Sequence, residues 1–199
     1  MITALEVNDL AVARGGRRLF EKLAFRLDAG RMLAIAGPNG SGKTSLLRAI
    51  AGLLRPAAGT IVFEGAEDSG HARRTACHLL GHQEGLKGSR TAAEELAFQA
   101  RWCGASPAAA ELAASRLGLS RLMGLEVHRL SAGQKRRLAL ARLIAAKRPL
   151  WLLDEPLAPL DIAGRDLAAE LMSEHLAGGG LILAATHDLL PLPADRLEL

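Results

Sequence analysis

Met32–Ala36 is a short unbroken apolar run, and it leads straight into the octet Gly37, Pro38, Asn39, Gly40, Ser41, Gly42, Lys43 and Thr44. A run of this kind predicts a strand covered on both faces. Beyond the octet, Leu46, Leu47, Ile50, Leu53 and Leu54 share one stripe at helical spacing, and Arg55-Pro56 predicts the helix stop. The octet meets G-x-x-x-x-G-K-[ST] at every fixed position, between a strand and a helix. Glycines let the backbone curl so that successive N–H groups face one point, and the following helix adds its positive end. A polyphosphate suits such a cradle. Lys43 would then reach the β- and γ-phosphates, the Thr44 hydroxyl would ligate Mg²⁺, and Ser45 completes the phosphate-binding stretch. An ordinary glycine-rich turn needs neither the lysine nor the threonine at this register.

Leu150-Trp151-Leu152-Leu153-Asp154-Glu155 is an apolar run ending in two adjacent carboxylates. Ligands in α/β sheets bind at the carboxyl ends of strands. Asp154 is therefore expected to hold Mg²⁺ through water, and Glu155 to face the γ-phosphate and orient the attacking water. By itself such a pair reads as a solvated strand end; beside a phosphate loop it reads as catalytic.

Around these two motifs the chain alternates. Leu5, Val7, Leu23, Phe25 and Leu27 keep a period of two, predicting antiparallel strands joined at Gly15-Gly16. Thr60–Phe63 and 181–186 read as further strands, and 166–176 as a helix. From 88 to 130 the chain is alanine-rich and helical, with starts at Thr91-x-x-Glu94, a capping box, and at Ser106-Pro107. Strand–helix alternation outside that segment predicts a largely parallel sheet with helices on its faces. Only 3% of the 199 residues are aromatic and tyrosine is absent, so the core must be built from Leu, Ala, Val and Ile. The charge of +4 is scattered, which favours a solvated surface over a nucleic-acid footprint. Cys77 and Cys103 begin no C-x-x-C motif and read as buried thiols in a reducing compartment. No run approaches the roughly 20 apolar residues that span a bilayer. The N-terminal 16 residues lack a signal-peptide layout, and little chain follows the last expected strand, leaving no room for a regulatory domain.

Leu130-Ser131-Ala132-Gly133-Gln134, just upstream of Asp154, resembles the signature motif of ABC transporter ATP-binding subunits. Physically, Ser131 and the Gly133 backbone form a second anion-binding helix end. Three further positions resemble the family in order: Gln83 the glutamine that contacts Mg²⁺ and the attacking water, Ala158-Pro159-Leu160-Asp161 the loop that lines the partner's site, and His187 the histidine that senses the γ-phosphate. The resemblance implies an α/β fold with a P-loop NTPase (RecA-like) core and a mainly parallel sheet. An N-terminal antiparallel β subdomain and an inserted helical subdomain complete it, the core spanning 1–87 and 131–199 and the helical part 88–130. It implies ATP and Mg²⁺ as cofactors, catalysis by Glu155, His187, Gln83 and Lys43, and nucleotide contacts that include Ser131, Gly133, Gln134 and Asp161. One phosphate loop and one signature per chain imply a dimer, with ATP sandwiched between the loop of one copy and the signature of the other. The surface near Gln83 and 84–90 would pass movement to integral membrane subunits. The family usually stacks an aromatic on adenine, whereas Val12-Ala13-Arg14-Gly15-Gly16 has none; Arg14 is the candidate replacement.

Gly81-His82-Gln83-x-Gly85-Leu86-Lys87, Trp151 and the 130–142 segment are similar to the haem-exporter branch serving cytochrome c biogenesis. That branch implies a peripheral place on the cytoplasmic face of the bacterial inner membrane, with no nucleic acid partner and no direct haem binding. The alternatives are the ATPase of another small-molecule ABC transporter, or a soluble ABC ATPase acting on nucleic acid.

Overall fold

The structure, a computed structural model, describes residues 2–187 and 190–199. It divides into two compact units, Met1–Gly81 with Arg148–Glu155 and Met172–Leu199, and His82–Lys147 with Pro156–Leu171.

The first unit holds two sheets. Strands β1 (Ala4–Arg14), β2 (Arg17–Asp28) and β4 (Ala58–Glu64) form an antiparallel sheet in the order β2-β1-β4. Gly15 and Gly16 both have positive φ and turn β1 into β2, as the hairpin reading requires. The second sheet is wholly parallel, in the order β5 (Cys77–Leu80), β6 (Leu150–Asp154), β7 (Leu181–Ala185), β3 (Met32–Ala36) and β8 (Asp195–Glu198). Every residue of β6 and β7 is buried, which explains why both read as unbroken apolar runs. Helix α1 (Lys43–Ile50) places Leu46, Leu47 and Ile50 in one core with Leu5, Val7 and Leu10 of one sheet and Leu150, Leu152, Leu181 and Leu183 of the other.

Helix α1 ends earlier than its apolar stripe predicts. Gly52 adopts φ +77, and the amides of Leu53 and Gly52 donate to Arg48 O at 2.8 Å and Ala49 O at 3.1 Å. This glycine-terminated cap stops the helix before Arg55-Pro56 and leaves Leu53 69% exposed. Three elements carry no strong periodic signal in the sequence: α2 (Ser69–Thr75), capped by the Asp68 carboxylate, and the short strands β5 and β8. The backbone amides of Gly70 and His71 hold the Asp68 carboxyl below its ordinary range.

The second unit is helical: α3 (Ala92–Trp102), α4 (Pro107–Arg116), α5 (Ala132–Ala145) and most of α6 (Ile162–Ala177). Thr91 and Glu94 make both bonds of the capping box, and Ser106 Oγ accepts from Ala109 N at 3.2 Å. The unit takes in more than 88–130 because α5 packs against α3 and α4. Ala100, Ala110, Ala113, Ala114, Ala139 and Ala141 are all buried, so small side chains let these helices approach closely. Helix α6 starts before 166 because Asp161 Oδ1 accepts from Gly164 N at 2.9 Å. Among the described residues no helix is long and apolar enough to cross a membrane. Cys77 is buried, and burial pushes its thiol up to about 12; Cys103, expected to be buried, is partly exposed where α3 ends.

Trp151 of β6 stacks on His175 of α6 with ring centroids 3.9 Å apart and planes 10° apart. His175 Nε2 lies 3.0 Å from Pro149 O, and a Cβ on Gly180 would sit 2.2 Å from the same nitrogen. Burial holds the imidazole below its ordinary value of 6.5. The folded chain thus favours the neutral ring, while the unfolded chain takes up a proton near pH 6.5. Stability from this site is complete above that pH and is lost as pH falls towards the folded-state value. Urea denaturation at pH 7.5 and 5.5 is expected to show a larger acid loss in the wild type than in His175→Phe; equal losses would exclude the site as a source of acid sensitivity.

Candidate functional site

The glycine-rich octet leaves β3 and enters α1, so its loop stands at the carboxyl end of the parallel sheet. Gly37 has φ +142, and a Cβ there would meet Leu199 O at 2.6 Å. Gly42, the N-cap of α1, has φ +114, and a Cβ would lie 3.0 Å from the Phe20 ring. Neither conformation suits a residue with a side chain. No side chain caps α1 and no acidic residue lies in its first turn, so its leading amides face whatever the loop holds. Lys43 is 8% exposed, and its Nζ donates to the carbonyls of Gly37 at 2.7 Å and Pro38 at 3.1 Å. These bonds keep the ammonium over the loop it closes. Pro38, Asn39, Gly40 and Ser41 form the turn, with Ser41 N donating to Pro38 O at 3.2 Å, and Ser45 is buried on α1.

Strand β6 delivers Asp154 to the same edge. Thr44 Oγ1 donates to Asp154 Oδ2 at 2.9 Å, joining residues 110 positions apart, and Asp154 is only 5% exposed. The chain turns sharply at the next residue. Glu155 has φ +48, a left-handed backbone that costs energy outside glycine, and its N–H donates to Ala185 O at 2.8 Å. The Thr186 hydroxyl donates to Glu155 Oε2 at 3.4 Å, and His187 Nε2 lies 3.8 Å from Oε1. Thr186 was missed in the sequence, where it reads only as the tail of an apolar strand. Phe20 was missed too; its ring packs on Gly42 although 12–16 offers no aromatic. Arg14 is exposed at the end of β1, opposite Arg17.

Within the helical unit, Ser131 is the N-cap of α5. Its Oγ accepts from Gln134 N at 3.2 Å while Gln134 Oε1 accepts from Ser131 N at 2.9 Å. Gly133 follows the cap, and a Cβ on it would meet Pro159 O at 3.0 Å. The 130–134 and 158–161 segments, recognised separately in the sequence, are thus neighbours here. Gln83 is exposed in the segment that opens this unit, and Asp161 is occupied as the cap of α6.

Thr44 and Asp154 supply only hard oxygen donors, suited to Mg²⁺ that keeps most of its shell for phosphate and water. Among the described residues there is no cluster of three or more His, Cys, Asp or Glu that would hold a metal by itself.

A family described as ABC transporter matches residues 20–158. A protein of Rhodopseudomonas palustris (strain BisB5), called cytochrome c biogenesis ATP-binding export protein CcmA, is 48% identical over 96% of this chain and 94% of its own. One of the same name from Bradyrhizobium diazoefficiens is 48% identical over 94% and 92%. A solved structure described as the ATP binding subunit of an ABC transporter superposes with a TM-score of 0.85 at 30% identity, covering 94% of this chain and 80% of that one.

Gly42→Ala tests the loop geometry. It is expected to lower stability by about 1–3 kcal/mol in thermal melts and to weaken triphosphate binding. Adding Phe20→Leu should recover only part of the loss, because the ring contact is eased and the backbone strain is not. Wild-type melting and binding in Gly42→Ala would show that the loop tolerates a side chain there.

Proposed function

Because the chain belongs to the ABC transporter family, we propose that it is the ATP-hydrolysing subunit of an export complex serving cytochrome c biogenesis. The observation that carries the chemistry is the Thr44–Asp154 contact, which closes the phosphate loop against the strand that ends just before Glu155. The relatives carry the biological role in their names, and the near-complete coverage on both sides supports extending it to this chain.

ATP is bound through its phosphates, by the loop amides of 37–42, the Lys43 ammonium and the leading amides of α1. Thr44 and Asp154 would hold Mg²⁺, which when bound supplies positive charge against the β- and γ-phosphates. Glu155 accepts the proton of the water that attacks the γ-phosphorus. The bond from that phosphorus to the β–γ bridging oxygen breaks, and ADP and phosphate leave. The Thr186 hydroxyl donates to the Glu155 carboxylate, with the His187 imidazole 3.8 Å from its other oxygen. His187 would also sense the γ-phosphate, and Gln83 would contact the metal and the water.

Two copies share the work. Ser131, Gly133 and Gln134 of one copy close on the γ-phosphate bound by the other, with the Asp161 loop alongside. The exposed cap of α5 supports this, since its helix end faces outward and carries no acidic residue. Integral membrane subunits complete the complex, and the chain sits peripherally on the cytoplasmic face of the inner membrane.

Glu155→Gln in the complex assembled with the membrane subunits is expected to bind ATP, to turn over about 100-fold or more slowly and to accumulate as a dimer. Unchanged turnover would remove Glu155 from its role. Ser131→Arg should leave ATP binding to the isolated chain intact while abolishing that dimer; a dimer that persists would refute the shared site.

A further inference from the structure

Arg90, Glu95, Gln99 and Arg142 form a polar chain within the helical unit that the hydrolysis chemistry leaves unused. Glu95 and Gln99 lie one turn apart on α3 and are 2% and 8% exposed. Arg90 Nη1 donates to Glu95 Oε2 at 3.0 Å, and Gln99 Nε2 donates to Glu95 Oε1. The same amide nitrogen lies 3.4 Å from Gly85 O, and Gln99 Oε1 accepts from Arg142 Nη1 at 2.9 Å. A single side chain therefore bonds three pieces of backbone or helix: the 82–90 segment, α3 and α5.

Placement makes this more than a buried network. Gly85 lies two residues after Gln83, and Arg142 lies on the helix that Ser131 caps. The 82–90 segment is held again at its far end, where the Arg90 guanidinium sits 4.1 Å from the Phe98 ring centroid, and where Val127 N donates to Arg90 O at 2.9 Å. A core position that needed only volume would be filled by leucine at no desolvation cost. Gln99 instead spends both ends of its amide, and a buried amide is stable only while those bonds are made. The network is thus satisfied only when the segment, α3 and α5 keep one relative arrangement.

We infer that Gln99 is a positioning residue that locks the Gln83 segment to the signature helix, so that the two move as one body. The inference rests on the reading above, which assigns Gln83 and Ser131 to ATP chemistry. A push on 82–90 is then delivered to Ser131 through Gln99 and Arg142, without slack.

Two readouts test this. Amide hydrogen exchange of the full chain is expected to show 82–90 exchanging about tenfold faster in Gln99→Leu. Arg142→Lys should speed the same amides, and the double variant should exchange no faster than Gln99→Leu alone. In the assembled complex, Gln99→Leu should lower kcat about tenfold and leave KM for ATP within about twofold, because the Lys43 loop is untouched. Unchanged exchange across 82–90, additive exchange effects, or faster exchange with wild-type kcat would each overturn the inference. If Gln99→Leu does not fold, Arg142→Lys carries both readouts. A wild-type complex without turnover would instead sink the preceding reading, and exchange alone would then decide whether Gln99 joins the two segments.

Discussion

The contact between Thr44 and Asp154 is the interaction on which the phosphate-binding unit turns. It joins the start of α1 to the end of β6 across 110 residues of chain. Strand β7 lies between β6 and β3, so the loop and the carboxylates reach a common edge only because the three strands run parallel with matched ends. That edge is where the positive end of α1, the Lys43 ammonium and two carboxylates meet. A lysine ammonium and carboxylates gathered at one edge of a buried sheet are suited to a ligand that carries negative charge together with a divalent cation.

Rigidity at that edge comes from burial behind it. Strands β6 and β7 are covered on both faces, and α1 is packed into the same core as both sheets. Glu155 can hold a left-handed backbone because its amide is tied to Ala185 and its side chain is met by Thr186 and His187. Strain of this kind persists only where the surroundings over-determine it, and it tends to mark functional positions. Glu155 is the residue to which the proposed mechanism gives the proton.

The helical unit follows a different physical plan. Its helices are short and rich in alanine, so their individual hydrophobic faces are shallow. Their ends are instead secured by side-chain caps at Thr91, Ser106, Ser131 and Asp161. Inside, where alanine leaves little room, a polar chain of Arg90, Glu95, Gln99 and Arg142 links the elements. Such a network is direction-sensitive in a way that apolar packing is not.

Much of this was legible in the sequence, because much of it is local. Motif spacing identified the phosphate loop, both carboxylates and the α5 cap, and capping boxes depend on residues three apart. Buried strands declare themselves as apolar runs. The end of α1 was not legible, because Leu53 and Leu54 continue the helical stripe and only the left-handed backbone at Gly52 breaks it. Strands β5 and β8 were invisible for another reason: four residues carry too little periodicity, and it is the neighbouring strand that makes them strands. The sequence by itself determined which residue types stand at which spacings, since those are covalent facts, and the proposed chemistry is assigned from them. Only the tertiary structure decided that Thr44 meets Asp154, that Thr186 and His187 approach Glu155, and that Gln99 bridges the Gly85 carbonyl to Arg142. Those pairings depend on strand order and helix packing, which arise from burying surface shared by distant parts of the chain.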